Sequence, residues 1–393
     1  MAQLTGEHGQ SFLRFLADVR RSFQYPTDTG LRFAGAAGRD AEVWMQNNQK
    51  NGMKHWWWAG SVGLLAVGVF LTGIRWGLPS KQTNALYFWG ERELEQRIAA
   101  LQAHPIEEAV QGMGPYAART PPESLRKAPR SWYNPIRTFH PDEYFVLKSL
   151  ITMHPSRGDF NPHQYTVGGA YLYPMGALML LCTKLGVVRV SPDLAFALRN
   201  PDEMAGVYRV GRVVAAVAAT GCVVMTFFLS LMICPDCKRA AAAAVLLLCT
   251  PFMVLNGHFM YVDIPGLFWI LAALLVGCRL VCGPSPGLSA LCGVFAGLAL
   301  GTKMSFVPAV LIPPVAVALG RPDIKRCLCC TAAGVASAAA AFLATNPYVV
   351  LAWPDVLVDL SQHTGIGFSP GFYFLSLAAG LEAPAAFLCL SGP

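Results

Sequence analysis

Charge is what this sequence has least of. Asp, Glu, Lys and Arg make up 13% of its 393 residues, where an ordinary soluble domain carries roughly a quarter. With 54% hydrophobic residues and a mean hydropathy of +0.42, that shortage excludes a soluble globular enzyme, a disordered chain and a DNA-binding domain. Cysteine is missing from residues 1–169, and all twelve Cys lie at or after Cys182. The longest polar region therefore has no disulfide framework. No apolar run lies near Met1, so no cleavable signal peptide is expected. No second ligand pair completes Cys234-x-x-Cys237 or the Cys327/Cys329/Cys330 cluster at zinc-finger spacing, and both read as small residues at membrane edges. There is no internal repeat.

Apolar blocks long enough to cross a bilayer are abundant, and the fold class they predict is an all-α polytopic membrane protein. Trp56–Ile74, preceded by Lys50 and Lys54 and opened by three Trp, reads as an uncleaved signal anchor that leaves residues 1–55 in the cytoplasm. Further blocks occupy 170–188, 206–233, 240–256, 264–282, 287–302, 304–320, 327–345 and 373–390. The net charge of +7 is no argument for a nucleic-acid partner, because the basic residues sit in short loops. Lys238, Arg239, Arg279, Arg321, Lys325 and Arg326 fall in alternate connections, while 256–263, 302–305 and 346–370 hold only Lys303. The bias of positive loops toward the cytoplasm puts the first set inside and the second outside.

That assignment requires one block between Ile74 and Val207 not to span. Ala170–Val188, with Pro174 inside it and Lys184 near its end, is the weakest and reads as an interfacial or re-entrant helix. The expectation is eight spans and a large outer loop, 75–205, within a membrane domain over 56–393. A loop of about 90 residues before Tyr165 should carry elements of its own. Residues 84–103 have helical apolar spacing and predict an amphipathic surface helix, and His140–Ile151 opens with the Pro and two acids of a helix start. The last apolar stretch stops just short of Pro393, and the chain reads as part of something longer.

This topology gathers rare polar groups on one face. Asp142 and Glu143 lie in the large outer loop, Asp263 at the mouth of the fourth span, Arg209 and Arg212 in the outer turns of the second, and Lys303 where the fifth emerges. Ionisable groups at membrane depth are costly and point to function. Each also has a plainer role: Asp142 and Asp263 as helix caps, Glu143 against the helix dipole, Arg209, Arg212 and Lys303 as interface anchors. Gly293-x-x-x-Gly297-x-x-x-Gly301 reads as close helix packing. Two carboxylate sites and two or three cations together suit deprotonation of a nucleophile beside a bound phosphate.

In order along the chain, FHPDEYFVLKSL, NPHQYTVGGAYLYPMGALMLL, VYRVGRVVAAVAATGCVVM, NGHFMYVDIPGLFWILAALL, GLALGTKMSFVPAVLIP and ATNPYVVLAWPDVL resemble the C superfamily of membrane glycosyltransferases. The nearest pattern is that of the protein O-mannosyltransferase-like enzymes, which include the aminoarabinose transferase acting on lipid A. The resemblance runs from about Trp56 to Ser369. It implies a sugar donor carried on a polyprenyl phosphate and transfer, with inversion, to an extracytoplasmic glycan, lipid or protein acceptor. By family habit the membrane is the bacterial plasma membrane. The family's catalytic acidic residues match Asp142 and Glu143, its second acidic position Asp263, its arginine Arg212, and its Thr-Lys pair Thr302 and Lys303. It also carries a non-spanning apolar helix after the acidic loop. Family chains usually continue through further spans, and the loop before Asp142 is larger here than in compact members.

On this reading Asp142 is the base, Glu143 orients it or the acceptor, Arg212 and Lys303 hold the phosphate with Arg209 nearby, and Asp263 binds sugar or positions a cation. No cofactor is assigned, and His140 with Asp142 and Glu143 could hold a divalent metal. His163 and His258 add outer imidazoles, and Tyr171 and Tyr173 read either as sugar or prenyl contacts or, more commonly for such residues, as interface aromatics. The rivals are a transporter or flippase for a lipid-linked sugar, and a non-catalytic relative that binds the lipid carrier.

Overall fold

The computed structural model describes residues 36–87, 90–103, 136–138, 140, 142–191 and 193–359. The proposed span at 373–390 and most of the N-terminal segment lie outside these. The described residues form helices and no strand. Three helices are long and apolar enough to cross a membrane: Pro201–Ile233, Asp263–Cys282 and Ile324–Thr345.

Helix α1, Ala36–Leu71, begins well before Trp56 and ends in a turn where Gly73 and Gly77 take positive φ, a conformation L side chains rarely adopt. The amphipathic stretch expected over 84–103 is two helices, α2 (Lys81–Tyr87) and α3 (Glu91–Ala103). Gly90 separates them, and Glu91 and Glu93 suit a fresh helix N-terminus. Helix α4 (Glu143–Thr152) follows the His-Pro-Asp sequence as expected. Helix α5 (Gly169–Lys184) is 16 residues long, about 24 Å and shorter than a hydrocarbon core of about 30 Å.

A short α6 (Leu194–Arg199) leads into α7 (Pro201–Ile233), 33 residues opened by Pro201 and two acids. At about 50 Å it outreaches the hydrocarbon core, so its first turns, with Arg209 and Arg212, can stand at or beyond the boundary. The 240–256 block is broken at Thr250–Pro251 into α8 (Cys237–Leu248) and α9 (Pro251–Asn256). Then come α10 (Asp263–Cys282) and α11 (Pro286–Thr302). The 304–320 block starts as a 3₁₀ helix, Met304–Leu311, with Pro308 inside, before α12 (Ile312–Gly320). A proline removes an i→i−4 bond and crowds the preceding turn, which favours the tighter winding. Helices α13 (Ile324–Thr345) and α14 (Tyr348–Leu351) follow.

Contacts fix the helix directions. Trp56 meets Phe228, with centroids 5.2 Å apart, and Gly63 faces Val224, so α1 runs antiparallel to α7. Helices α11 and α13 are parallel and touch through small residues. A Cβ on Gly293 would fall 2.0 Å from Gly334 O, and one on Gly297 2.3 Å from Ala338 O, which is why the Gly-x-x-x-Gly register is needed. One end of the bundle therefore gathers Ile233, Cys237, Cys282, Pro286 and Cys330. The other gathers Leu71, Arg212, Met260, Asp263, Lys303 and Asn346.

Helix α5 is seated on that second end. Gly168 N–H donates to Thr302 O at 2.9 Å and Gly169 N–H to Asn346 Oδ1 at 2.8 Å. A Cβ on Gly168 would lie 1.9 Å from Gly301 O, so only glycine permits the contact.

Candidate functional site

The site grows from the start of α4. Glu143 is its first residue and is fully buried. It accepts from Arg212 Nε and Nη2, each at 2.8 Å, from Met260 N–H at 2.9 Å and from the Thr138 hydroxyl. Arg212 Nη1 donates to Ile74 O at 3.0 Å and Trp76 O at 2.7 Å, and the guanidinium lies 5.1 Å from the Phe259 ring centroid. A bidentate pair in low dielectric with its lone pairs filled is a strong, directional contact. It clamps the end of α1, α7, the segment before α10 and α4 to one point.

This changes two expected roles. Glu143 does not simply complement the helix dipole, because its carboxylate is turned onto Arg212. Arg212, 1% exposed with its donors committed to Glu143 and two carbonyls, is a clamp; a phosphate would reach it only by breaking the pair.

Asp142 sits at the N-cap position of α4 but makes no capping bond. Its N–H donates to His140 Nδ1 at 3.3 Å. Among the described residues its half-buried carboxylate has no hydrogen-bond or ion-pair partner. A second carboxylate acts on the same neighbours, because the charges of Asp142 and Asp263 both bear on His140 and Tyr261. Asp263, expected as a cap, is the first residue of α10 and accepts from Lys303 Nζ at 2.6 Å, with the two side chains 22% and 28% exposed. Lys303 Nζ is 5.2 Å from the Tyr261 ring centroid.

His140 lies 4.4 Å from Phe259 and 6.2 Å from Tyr261, centroid to centroid. Burial pulls its pKa below the ordinary histidine value, opposed by the charges of Asp142, Glu143 and Asp263 and reinforced by Arg212. With Nδ1 accepting from Asp142, a neutral His140 carries its proton on Nε2. Burial, then Asp142 and Asp263, push the Tyr261 phenol up, so it is a hydrogen-bond donor at neutral pH.

The remaining expected residues scatter. Arg209 is exposed on α7 and His163 is exposed; neither joins the cluster. His258 faces Val254 O through Nδ1, and Val69 O and Thr72 O through Nε2, tying α9 to the end of α1. Tyr171 is buried among Leu147, Val167 and Met260, and its hydroxyl has no partner among the described residues. Tyr173 lines a separate shallow cleft with Pro162, Tyr165, Asn346 and Tyr348. Among the described residues no group of three His, Cys, Asp or Glu is placed to hold a metal ion, so the His140–Asp142–Glu143 alternative has no geometry behind it.

Sequence reasoning passed over Phe259, Tyr261 and Arg137. The first two stand four and two residues before Asp263, where aromatics at a membrane edge read as anchors. Arg137, five residues before Asp142, stacks its guanidinium 3.8 Å above the Tyr144 ring, and its Nε is buried without a partner among the described residues. The chain matches no protein-family model, no curated protein and no solved structure.

Proposed function

We propose that the chain is an inverting glycosyltransferase that moves a sugar from a polyprenyl-phosphate carrier to an acceptor hydroxyl on the extracytoplasmic face of a membrane crossed eight times. The observation that carries this reading is the contrast between two neighbouring carboxylates. Glu143 is locked, and Asp142 beside it is unpaired, half-buried and held in place by that lock. An uncommitted carboxylate on a fixed backbone is what general-base catalysis requires.

The acceptor hydroxyl gives its proton to Asp142 as its oxygen bonds to the anomeric carbon. The bond from that carbon to the carrier phosphate breaks on the opposite face, inverting the centre as in single-displacement glycoside chemistry. Asp263 accepts from a sugar hydroxyl, and Lys303, one N–H engaged by Asp263, has others for a donor oxygen. Glu143 and Arg212 position Asp142. The order of the six sequence motifs and the short, outer-seated α5 support the same reading, with 75–205 as the outer loop and the positive connections inside.

The test is donor turnover. Purified protein in detergent is given a panel of polyprenyl-phosphate sugars, and release of sugar or free lipid phosphate is followed. Asp142→Asn is expected to lower turnover by about 10²-fold or more with unchanged thermal stability. Turnover unaffected by that substitution sinks the base assignment. A lipid carrier that binds without turnover of any donor favours the transport or carrier-binding readings.

A further inference from the structure

The two cations expected to hold a phosphate are both engaged, Arg212 by Glu143 and Lys303 by Asp263. Beside the clamp stands a cation with no carboxylate partner among the described residues. We propose that Arg137 binds the phosphate group of an isoprenoid-phosphate carrier, with Tyr144 as the platform that presents it; the carrier's identity, though not the anion site, rests on the glycosyltransferase reading.

Three observations carry this. The Arg137 guanidinium carbon lies 3.8 Å above the Tyr144 ring centroid, so stacking occupies the face of the cation and not its edge. That edge bears Nε–H and the Nη donors, the fork that matches two oxygens of one phosphate. Nε is buried and has no acceptor among the described residues, although buried donors are nearly always satisfied, and a bound phosphate oxygen would supply one.

Position agrees with chemistry. Tyr208, one turn before Arg212 on α7, donates to Ile136 O at 3.3 Å, which places Arg137 beside the outer turns of α7, where a carrier's phosphate meets the end of its hydrocarbon tail. Arg137 adjoins Thr138, whose hydroxyl donates to Glu143, and Asp142 adjoins Glu143 itself, so both are tied to the Glu143–Arg212 clamp.

Binding is measured apart from turnover. Full-length protein in nanodiscs of neutral phosphatidylcholine is titrated with farnesyl phosphate, farnesol and inorganic phosphate, following ligand-induced thermal shift and direct binding. Arg137→Gln is expected to weaken farnesyl phosphate binding by about tenfold or more, leave farnesol binding unchanged and not lower stability in the absence of ligand. Arg137→Lys keeps the charge without the fork and should fall between. If Arg137→Gln proves unstable, Tyr144→Leu supplies the second variant and should weaken phosphate binding without touching farnesol.

Equal farnesyl phosphate affinity in wild type and both Arg137 variants overturns the proposal. Loss of the Arg137-dependent signal when phosphatidylglycerol replaces phosphatidylcholine assigns the site to bilayer headgroups and overturns the carrier as its ligand. Arg137-dependent binding with no turnover of any donor leaves the anion site standing and sinks the transferase reading. Turnover with an unchanged KM in Arg137→Gln does the reverse.

Discussion

Asp142 and Glu143 are adjacent, chemically alike and differently fated, and the cause is helix geometry. Successive residues at a helix start point about 100° apart, so one carboxylate enters the bundle and its neighbour stays outside. Glu143 then finds Arg212, 69 positions along the chain. Removing one partner of such a buried pair strands the other charge. Glu143→Gln and Arg212→Met should each lower stability by about 3–5 kcal/mol, whereas Glu143→Met combined with Arg212→Met should cost less than the sum. Thermal and denaturant unfolding in detergent measures this; additive losses would show that the clamp does not act as a unit. The rarity of Arg212 in an apolar helix was legible in the sequence, but its partner was not, because nothing local connects the two.

At the scale of elements, glycines govern how closely the outer segment meets the bundle. Gly168 has ordinary backbone angles, so its requirement is purely one of space: any Cβ would collide with the carbonyl of Gly301. Gly168→Ala should therefore lift the start of α5 from the end of α11, beside Lys303, and cost about 1–3 kcal/mol. Gly287→Ala, on α11 with nothing near its added carbon, should leave stability unchanged or raise it by up to about 1 kcal/mol. Unfolding midpoints of the two variants check this, and equal effects would count against the close contact. The Gly293–Gly297–Gly301 spacing announced its packing in advance because small residues four apart share one face of any helix. Gly168 gave no such signal, lying in a loop whose neighbour is distant in sequence. The break at Gly90 and the 3₁₀ winding around Pro308 were local effects, visible residue by residue yet outweighed in an overall reading of apolar blocks.

Across the whole molecule, helix directions put Cys282 and Cys329 at one end and the Asp142–Asp263 cluster at the other. Both cysteines are free and exposed, near Arg279, Lys325 and Arg326. If positive connections face the cytoplasm, a membrane-impermeant maleimide should label Cys282 and Cys329 only after cells are permeabilised. Arg157→Cys, at an exposed position in the outer segment, should be labelled in intact cells. Labelling of Cys329 in intact cells would invert the orientation and put the candidate site in the cytoplasm.

By itself the sequence determined that the chain is helical and rich in membrane-length apolar blocks, roughly where α5, α7, α10, α11 and α13 lie, and which rare charges deserved notice. Those properties follow from hydropathy, proline and glycine placement, and helical periodicity, all readable within a few turns. Only the tertiary structure decided which charges are committed and which are free. Arg212 and Glu143 neutralise each other, Lys303 turns to Asp263, Arg209 faces outward, and Asp142 and Arg137 have no ion-pair partner among the described residues. The physical reason is that ion pairing depends on distances of a few ångströms between residues far apart in the chain, which no local pattern encodes.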